Sequence, residues 1–517
     1  MTNRDLDAAW RYHNSTKHSY DSIHADPHYL DWQNQPLPFK IYRTLDPVAL
    51  PRDLPRSGVP ALSAVSAFNP PTERPVPASP SLPLLASLLY FSAGITKRKQ
   101  YPGGEILFRA AACTGALYHI ELYLVCGDLP ELRAGVYHFG PGDFALRCLR
   151  RGDYRQLLAQ ATGGEPTVAA APVTVICTST FWRNAWKYRA RTYRHCFWDT
   201  GTIVANLLAV SAAHAVPANV VMGFVDETIN RLLGLDTERE VALALVTLGH
   251  APQVPHSPPP ALEPLHLDTV PLSNKEVDYP AIRAMHAASS LSHADEVASW
   301  HGPTPPHACP APTGELFPLR PLGDGEAPTD TIERVILRRG SSRRFARVPI
   351  SFAQLSTLLL RATGGIPADF LDPPGATLND LYLIVNAVDD LPSGAYVFRR
   401  DQRALELLRR GAFRRDAGYL GLMQEIPADA SVDVFCLTDL RAALGRFGNR
   451  GYRAAQLEAG LIGGKLYLAA YAQRLGASGL TFFDDDVTRF FAPHAADKSV
   501  MFLMALGKAA ARASRSG

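Results

Sequence analysis

Cysteine is scarce and unpatterned: seven residues, at 113, 126, 148, 177, 196, 309 and 436, with no C-x-x-C pair. An odd, scattered set excludes a disulfide framework and a zinc knuckle, and makes a reducing cytoplasm the expected compartment. No apolar run approaches the roughly 20 residues that span a bilayer, and the polar start Met1–Tyr20 has no signal-peptide core. An excess of one charge is missing too. A net charge of +3 gives no electrostatic case for nucleic acid or membrane as the main partner. H-E-x-x-H is absent, and no G-x-G-x-x-G fingerprint follows a strand, so neither a zincin nor a Rossmann site is indicated. What remains is the composition of a globular protein, 47% apolar and 20% charged, long enough for two to four domains.

The chain repeats itself. Gly135-Val-Tyr-His-Phe139 matches Gly394-Ala-Tyr-Val-Phe398, and Ala145-Leu-Arg-Cys-Leu-Arg-Arg-Gly152 matches Ala404-Leu-Glu-Leu-Leu-Arg-Arg-Gly411. The offset of 259 also pairs Val173-Thr-Val-Ile-Cys177 with Val432-Asp-Val-Phe-Cys436. It pairs Arg191, Tyr193, Arg194 and Gly201 with Arg450, Tyr452, Arg453 and Gly460. One ungapped frame over that distance means two copies of one domain.

Between the copies, Ala251–Gly325 carries fifteen prolines and reads as an extended linker. The proline-rich Leu37–Pro83 reads as part of an N-terminal arm. The expected boundaries are therefore an arm over 1–83, a first domain over 84–250, the linker over 251–325 and a second domain over 326–517. Within the first copy, Ile120–Val125 and Val173–Cys177 read as strands, and Ser81–Ala93, Tyr154–Ala161 and Trp198–Ala213 as helices with apolar residues at three- and four-residue spacing. Phe352–Ala362, Leu381–Val388 and Gln456–Arg474 repeat this order. The predicted fold class is α+β, with helices around a mostly antiparallel sheet in each copy.

Glu333-Arg-Val-Ile-Leu-Arg-Arg-Gly-Ser-Ser-Arg-Arg-Phe345 resembles the R-R-S-x-R-x-F opening of FMN-dependent nitroreductases. Gly448–Gly460, Leu475-Gly-Ala-Ser-Gly-Leu480 and Phe482-Phe-Asp-Asp-Asp486 are similar to later blocks of the SagB/ThcOx-type dehydrogenase branch, in its duplicated form. The resemblance implies that Arg338, Arg339, Ser341 and Arg343 bind the FMN phosphate, chemistry that guanidinium forks and a hydroxyl suit. Gly476, Ala477, Ser478 and Gly479 are then further cofactor contacts. Homodimeric members hold FMN between subunits, so the resemblance implies that the fused copies form an intramolecular pseudo-dimer.

Trp186-Lys-Tyr-Arg-Ala-Arg-Thr-Tyr-Arg194 resembles the K-Y-x-x-R-x-Y-R block of azoline-oxidising members, which makes Lys187 and Tyr188 the candidate catalytic pair. Arg446 and Phe447 stand at the equivalent places, and neither relays a proton near neutral pH. Arg109-Ala-Ala-Ala-Cys-Thr-Gly-Ala-Leu-Tyr118 is similar to the family's flavin-contact loop, with Ala112 and Cys113 in place of its Pro and Ser. Arg109, Thr114 and Gly115 are the candidates there. The phosphate clamp survives in one copy and the Lys-Tyr pair in the other, which points to one composite FMN site. The implied activity is dehydrogenation of thiazoline or oxazoline rings in a modified peptide, with dioxygen as final acceptor and a cyclodehydratase as possible partner. The alternatives are an NAD(P)H-dependent nitro or quinone reductase and a non-catalytic flavoprotein in a peptide-modifying complex. No metal site is expected.

Overall fold

The computed structural model describes residues 2–66, 79–101, 104–251, 258–306, 311–323 and 325–510. Most of Phe68–Pro83, the first copy's counterpart of the arginine-rich segment, and Cys309 of the linker lie outside the described residues.

In chain order the first copy contributes β1 (Pro47–Ala49), β2 (Ile95–Tyr101), β3 (Gly104–Arg109), β4 (Ile120–Cys126), β5 (Gly135–Gly140), β6 (Ala145–Arg151), β7 (Val173–Thr180), β8 (Ala218–Val221) and β9 (Glu240–Leu248). The second contributes β10 (Leu316–Pro318), β11 (Asn379–Val385), β12 (Gly394–Arg399), β13 (Ala404–Arg410), β14 (Val432–Thr438), β15 (Gly476–Leu480) and β16 (Ser499–Gly507). They form two seven-stranded antiparallel sheets of the same order, β1-β6-β5-β4-β7-β9-β8 and β10-β13-β12-β11-β14-β16-β15. Among the described residues, strands β2 and β3 pair only with each other.

The repeat extends to irregularities. Bulges fall between Val136 and Tyr137 and, 259 residues on, between Ala395 and Tyr396. A second pair falls at Cys177/Thr178 and Cys436/Leu437. Strands β4 and β7 are buried along their whole length, including polar Glu121 and Thr178, as central strands covered on both faces are.

The copies meet through two long helices, Thr192–Ala213 and Arg450–Ala472. Apolar and small residues surround both, so they are buried nearly throughout rather than along one stripe. They cross where Gly201 faces Gly460: a Cβ on Gly201 would lie 2.5 Å from the Gly460 carbonyl carbon. One turn further, a Cβ on Gly464 would lie 2.5 Å from that of Ala205. Both contacts pair equivalent positions, so a pseudo-twofold axis runs through the crossing.

Two ionic locks flank it. Asp226 of the first copy accepts from Arg450 at 2.6 Å and Arg453 at 2.7 Å. Reciprocally, Asp484 accepts from Arg191 at 3.0 Å and Arg194 at 2.6 Å. All six groups are buried.

Four expectations change. The linker is not wholly extended: helices Pro280–Ala288 and Ala294–Trp300 lie in it, and Trp300 is 1% exposed. Pro280 occupies the first turn, where its missing N–H leaves no bond unmade. The arm likewise holds helices Asp7–Ser15 and Ala61–Ser66. Each sheet also takes its edge strand, β1 or β10, from outside the boundaries expected at residues 84 and 326. Finally, the helical run Phe181–Ala213 is long and apolar enough to cross a bilayer, but 89% of its most apolar window is buried inside the fold.

Candidate functional site

Lys187 and Tyr188 end the short helix Phe181–Tyr188, just before the first long helix. The turn between them needs a left-handed residue, Arg189 at φ 49° here and Gly448 at φ 67° in the second copy. Asp26 pairs with Arg189 and fixes the turn. The Lys187 ammonium lies 5.4 Å from the centre of the Tyr188 ring. Partial desolvation of its ammonium and the nearby Arg343 guanidinium lower the Lys187 pKa from its usual value, although the side chain is exposed. Burial, then the Asp199 and Cys113 charges, raise that of Tyr188. The lysine is therefore the group of the pair that loses its proton more readily, and the tyrosine keeps its own.

The Tyr188 hydroxyl rests on Gly115. A Cβ there would come within 2.8 Å of it, and Gly115 also holds a φ of 62°. Ala116 and Tyr118 adopt left-handed angles as well, so this loop is held under strain. Asp199, buried on the long helix, does the holding. It accepts from Thr114 N at 2.9 Å, Thr114 Oγ1 at 2.8 Å, Cys113 Sγ at 3.1 Å and His119 Nε2 at 2.9 Å. Thr114 thus spends its hydroxyl inside the protein. Cys113, His119 and Asp199 are close enough to hold a metal ion together, but their hydrogen bonds to one another already account for the grouping.

The arginine segment of the second copy reaches this loop. Arg339 donates through Nε to the Ala110 carbonyl at 3.0 Å and through Nη2 to that of Arg109 at 3.0 Å. Ser341 Oγ lies 3.1 Å from the Tyr467 hydroxyl, which accepts from Gly479 N at 2.7 Å. Ser342 N donates to the Ala477 carbonyl at 2.8 Å, and a Cβ on Gly476 would strike Ser342 Oγ at 2.2 Å. Ser478 is buried in β15 opposite Ala505. Residues from both copies therefore converge: Lys187, Tyr188, Thr114 and Gly115 from one, Arg339, Ser341, Arg343 and Gly476–Gly479 from the other.

Two predicted side chains point elsewhere. Arg338 pairs with Asp330 at 2.9 Å and donates to the Tyr471 carbonyl, so it anchors its own helix end. Arg109 is buried between the Phe39 and Tyr118 rings and donates to the Pro38 carbonyl. Only its carbonyl faces the arginine segment.

The pseudo-equivalent place across the axis is filled by the chain itself. Asp369 accepts from the amides of Met222 at 2.9 Å and Gly223 at 2.7 Å, and pairs with His301 at 3.2 Å. Its loop lies along β8, with Val220 N donating to the Pro367 carbonyl. Trp300 packs against Phe447 with its ring tilted and donates to its carbonyl, while Arg446 donates to that of Pro303. On the converged side the corresponding segment, residues 480–483, is one residue shorter than 221–225, and no side-chain carboxylate of the described residues accepts from the amides of Thr481 or Phe482. Thr481 Oγ1 and Ser342 Oγ are buried without hydrogen-bond partners.

Sequence reasoning missed Asp199, Thr481 and Phe482. The signal for Asp199 was the offset, which pairs it with Glu458. That buried carboxylate grips Thr377, Leu378 and Asn379 in the same way.

Residues 109–250 match the model of the Nitroreductase family. The matched residues lie in the first copy. A solved nitroreductase structure from Anabaena variabilis is 27% identical and superposes with a TM-score of 0.77 over 97% of this chain and 99% of that one. The paired nitroreductase-like architecture is thus shared end to end. A protein of Methanocaldococcus jannaschii named as a nitroreductase is 22% identical over 165 residues, 32% of this chain and 78% of its own length. The microcin B17-processing protein McbC of Escherichia coli is 28% identical over 154 residues, 29% of this chain. The match spans 53% of the length of McbC.

Proposed function

We propose that the chain is an FMN-dependent dehydrogenase that oxidises thiazoline or oxazoline rings of a modified peptide to azoles, with dioxygen as final acceptor. The observation that carries this reading is the Lys187–Tyr188 pair of the copy that matches the family model, set beside Arg343 of the other copy. Similarity to a microcin B17-processing protein supports a role in peptide maturation, and a cyclodehydratase is the corresponding partner.

The residues fit FMN. Arg339 and Arg343 form no ion pair with an acid among the described residues, while the neighbouring Ser342 and Thr481 hydroxyls are buried and unsatisfied. Such groups call for an anion and for polar ligand atoms. Arg339, Ser341 and Arg343 would hold the phosphate, and the Thr481 and Phe482 amides would face polar atoms of the ring system. FMN, when bound, supplies the hydride acceptor and the route of electrons to dioxygen. Lys187, with its lowered pKa, takes the proton from the ring carbon. Tyr188 keeps its proton and orients the ring by hydrogen bonding. Asp199 positions the loop beneath both.

The double variant Arg339→Ala/Arg343→Ala is expected to remain folded but to be purified with less than about a tenth of the parent's FMN, two charge-assisted contacts being lost. Flavin absorbance per chain measures this; full occupancy would remove the named clamp. The family match itself favours one other reading, an NAD(P)H-dependent nitro or quinone reductase. Turnover of nitroarenes with NADPH, and none of an azoline peptide, would select it.

A further inference from the structure

The two copies differ most in one connection. In the second, the chain between helix Phe352–Ala362 and β11 folds down onto β8 and fills the closed site with Asp369. In the first, the chain between helix Leu82–Ala93 and β4 rises into the free-standing β2–β3 hairpin. The hairpin ends at Arg109, and the carbonyls of Arg109 and Ala110 receive Arg339, so its root belongs to the converged site. Its counterpart blocks a site; the hairpin leaves its own open and stands beside it.

The hairpin is basic and unpaired. Lys97, Arg98 and Lys99 lie in a row on β2, against the single acid Glu105 on β3. Arg98 pairs with Glu105 at 3.2 Å, and neither Lys97 nor Lys99 pairs with an acid of the described residues. Tyr101 and Ile106 are 47% and 45% exposed. Among the described residues no third strand covers either outer edge. An open strand edge can take an extended chain through backbone bonds, and cationic side chains that discourage self-pairing of the edge favour an acidic chain there.

We propose that the β2–β3 hairpin is a docking arm for an extended, acidic segment of the peptide substrate, alongside the residue that enters the site. This inference rests on the peptide-substrate reading above. The test uses FMN-loaded full-length protein and fluorescent peptides rich in glutamate, glutamine or lysine, with binding followed by anisotropy.

The parent is expected to bind the glutamate peptide about tenfold more tightly than the glutamine peptide, an advantage that fades with added salt. Lys97→Ser/Arg98→Ser/Lys99→Ser should remove that advantage while retaining flavin. The charge-reversed Lys97→Glu/Arg98→Glu/Lys99→Glu should prefer the lysine peptide, a switch that a misfolded variant does not produce. Equal binding of the three peptides by the parent, or parent-like affinity in the serine variant, would overturn the proposal. So would a loss confined to NADPH binding, which would assign the cations to a dinucleotide phosphate. Glutamate-selective binding without azoline oxidation would sustain the arm and refute the activity. Oxidation without that selectivity would do the reverse.

Discussion

Lys187→Ala is expected to keep its fold and its bound FMN and to lose about 10²–10⁴-fold in turnover of an azoline peptide, the range for a positioned acid–base group. Lys187 lies at an exposed helix end, so its removal leaves no buried cavity. Partial desolvation of the ammonium and the nearby Arg343 make it the more readily deprotonated of the pair, and Tyr188 has its proton held by burial. The loss should fall on kcat, since a proton transfer occurs only in the transition state. Arg446→Ala supplies the control. It removes the equivalent residue from the closed site, where the guanidinium holds the Pro303 carbonyl, and should leave turnover close to that of the parent. Steady-state rates of the two variants, at matched flavin content, make the comparison. Parent-like turnover by Lys187→Ala would show that the pair is not catalytic.

Asp226→Ala is expected to have the largest effect on stability, about 3–5 kcal/mol, because it strands two buried guanidiniums without their anion. A fall of several degrees in the thermal midpoint should result, with weaker docking of the two copies. The pH dependence has a defined sign. Against the cost of burial, Arg450 and Arg453 hold the Asp226 carboxyl down from 3.8 to about 2. Its contribution is complete above the ordinary carboxylate pKa and is lost as pH falls through the lowered one. The parent should therefore lose stability between about pH 4 and pH 2, and the variant should lose less in that window. Asp484→Ala, at the reciprocal lock, should behave alike, since Arg191 and Arg194 hold that carboxyl low as well. An unchanged melting curve for Asp226→Ala would mean that the locks contribute nothing net to docking.

Much of the architecture was legible because the repeat is a physical constraint as well as a sequence one. A strand that keeps its bulge between Val136 and Tyr137 must keep its register, and the same bulge recurs 259 residues later. Helix Phe352–Ala362 matched its pattern end to end. The long helices begin earlier than expected, at Thr192 and Arg450, because arginines at their starts, Arg194, Arg450 and Arg453, interrupt the apolar spacing although they are buried against Asp484 and Asp226. The linker misled because proline content does not show where each proline sits. Pro280 opens a helix, and Trp300 beyond it buries itself against Phe447.

The candidate site was legible as segments, less so as atoms. Convergence of the Lys-Tyr pair with the arginine segment follows from the pseudo-dimer. Which arginine reaches across does not: Arg338 and Arg339 are neighbours, but the helix end turns one to Asp330 and the other to the carbonyls of Arg109 and Ala110. Asp199 stayed hidden because a lone acid on a helix has no signature until its partners are known. Closure of the second site by Asp369 and Trp300 depends on long-range folding of two loops, which local pattern does not encode.

The central claim is that one site is built from both copies and its twin is closed by the chain. The amount of FMN per chain tests it most directly, measured as flavin absorbance released from a known protein concentration after saturation and desalting. The account predicts close to one FMN per chain. Two per chain would contradict it, since the place held by Asp369, His301 and Trp300 would then have to open and bind flavin as well.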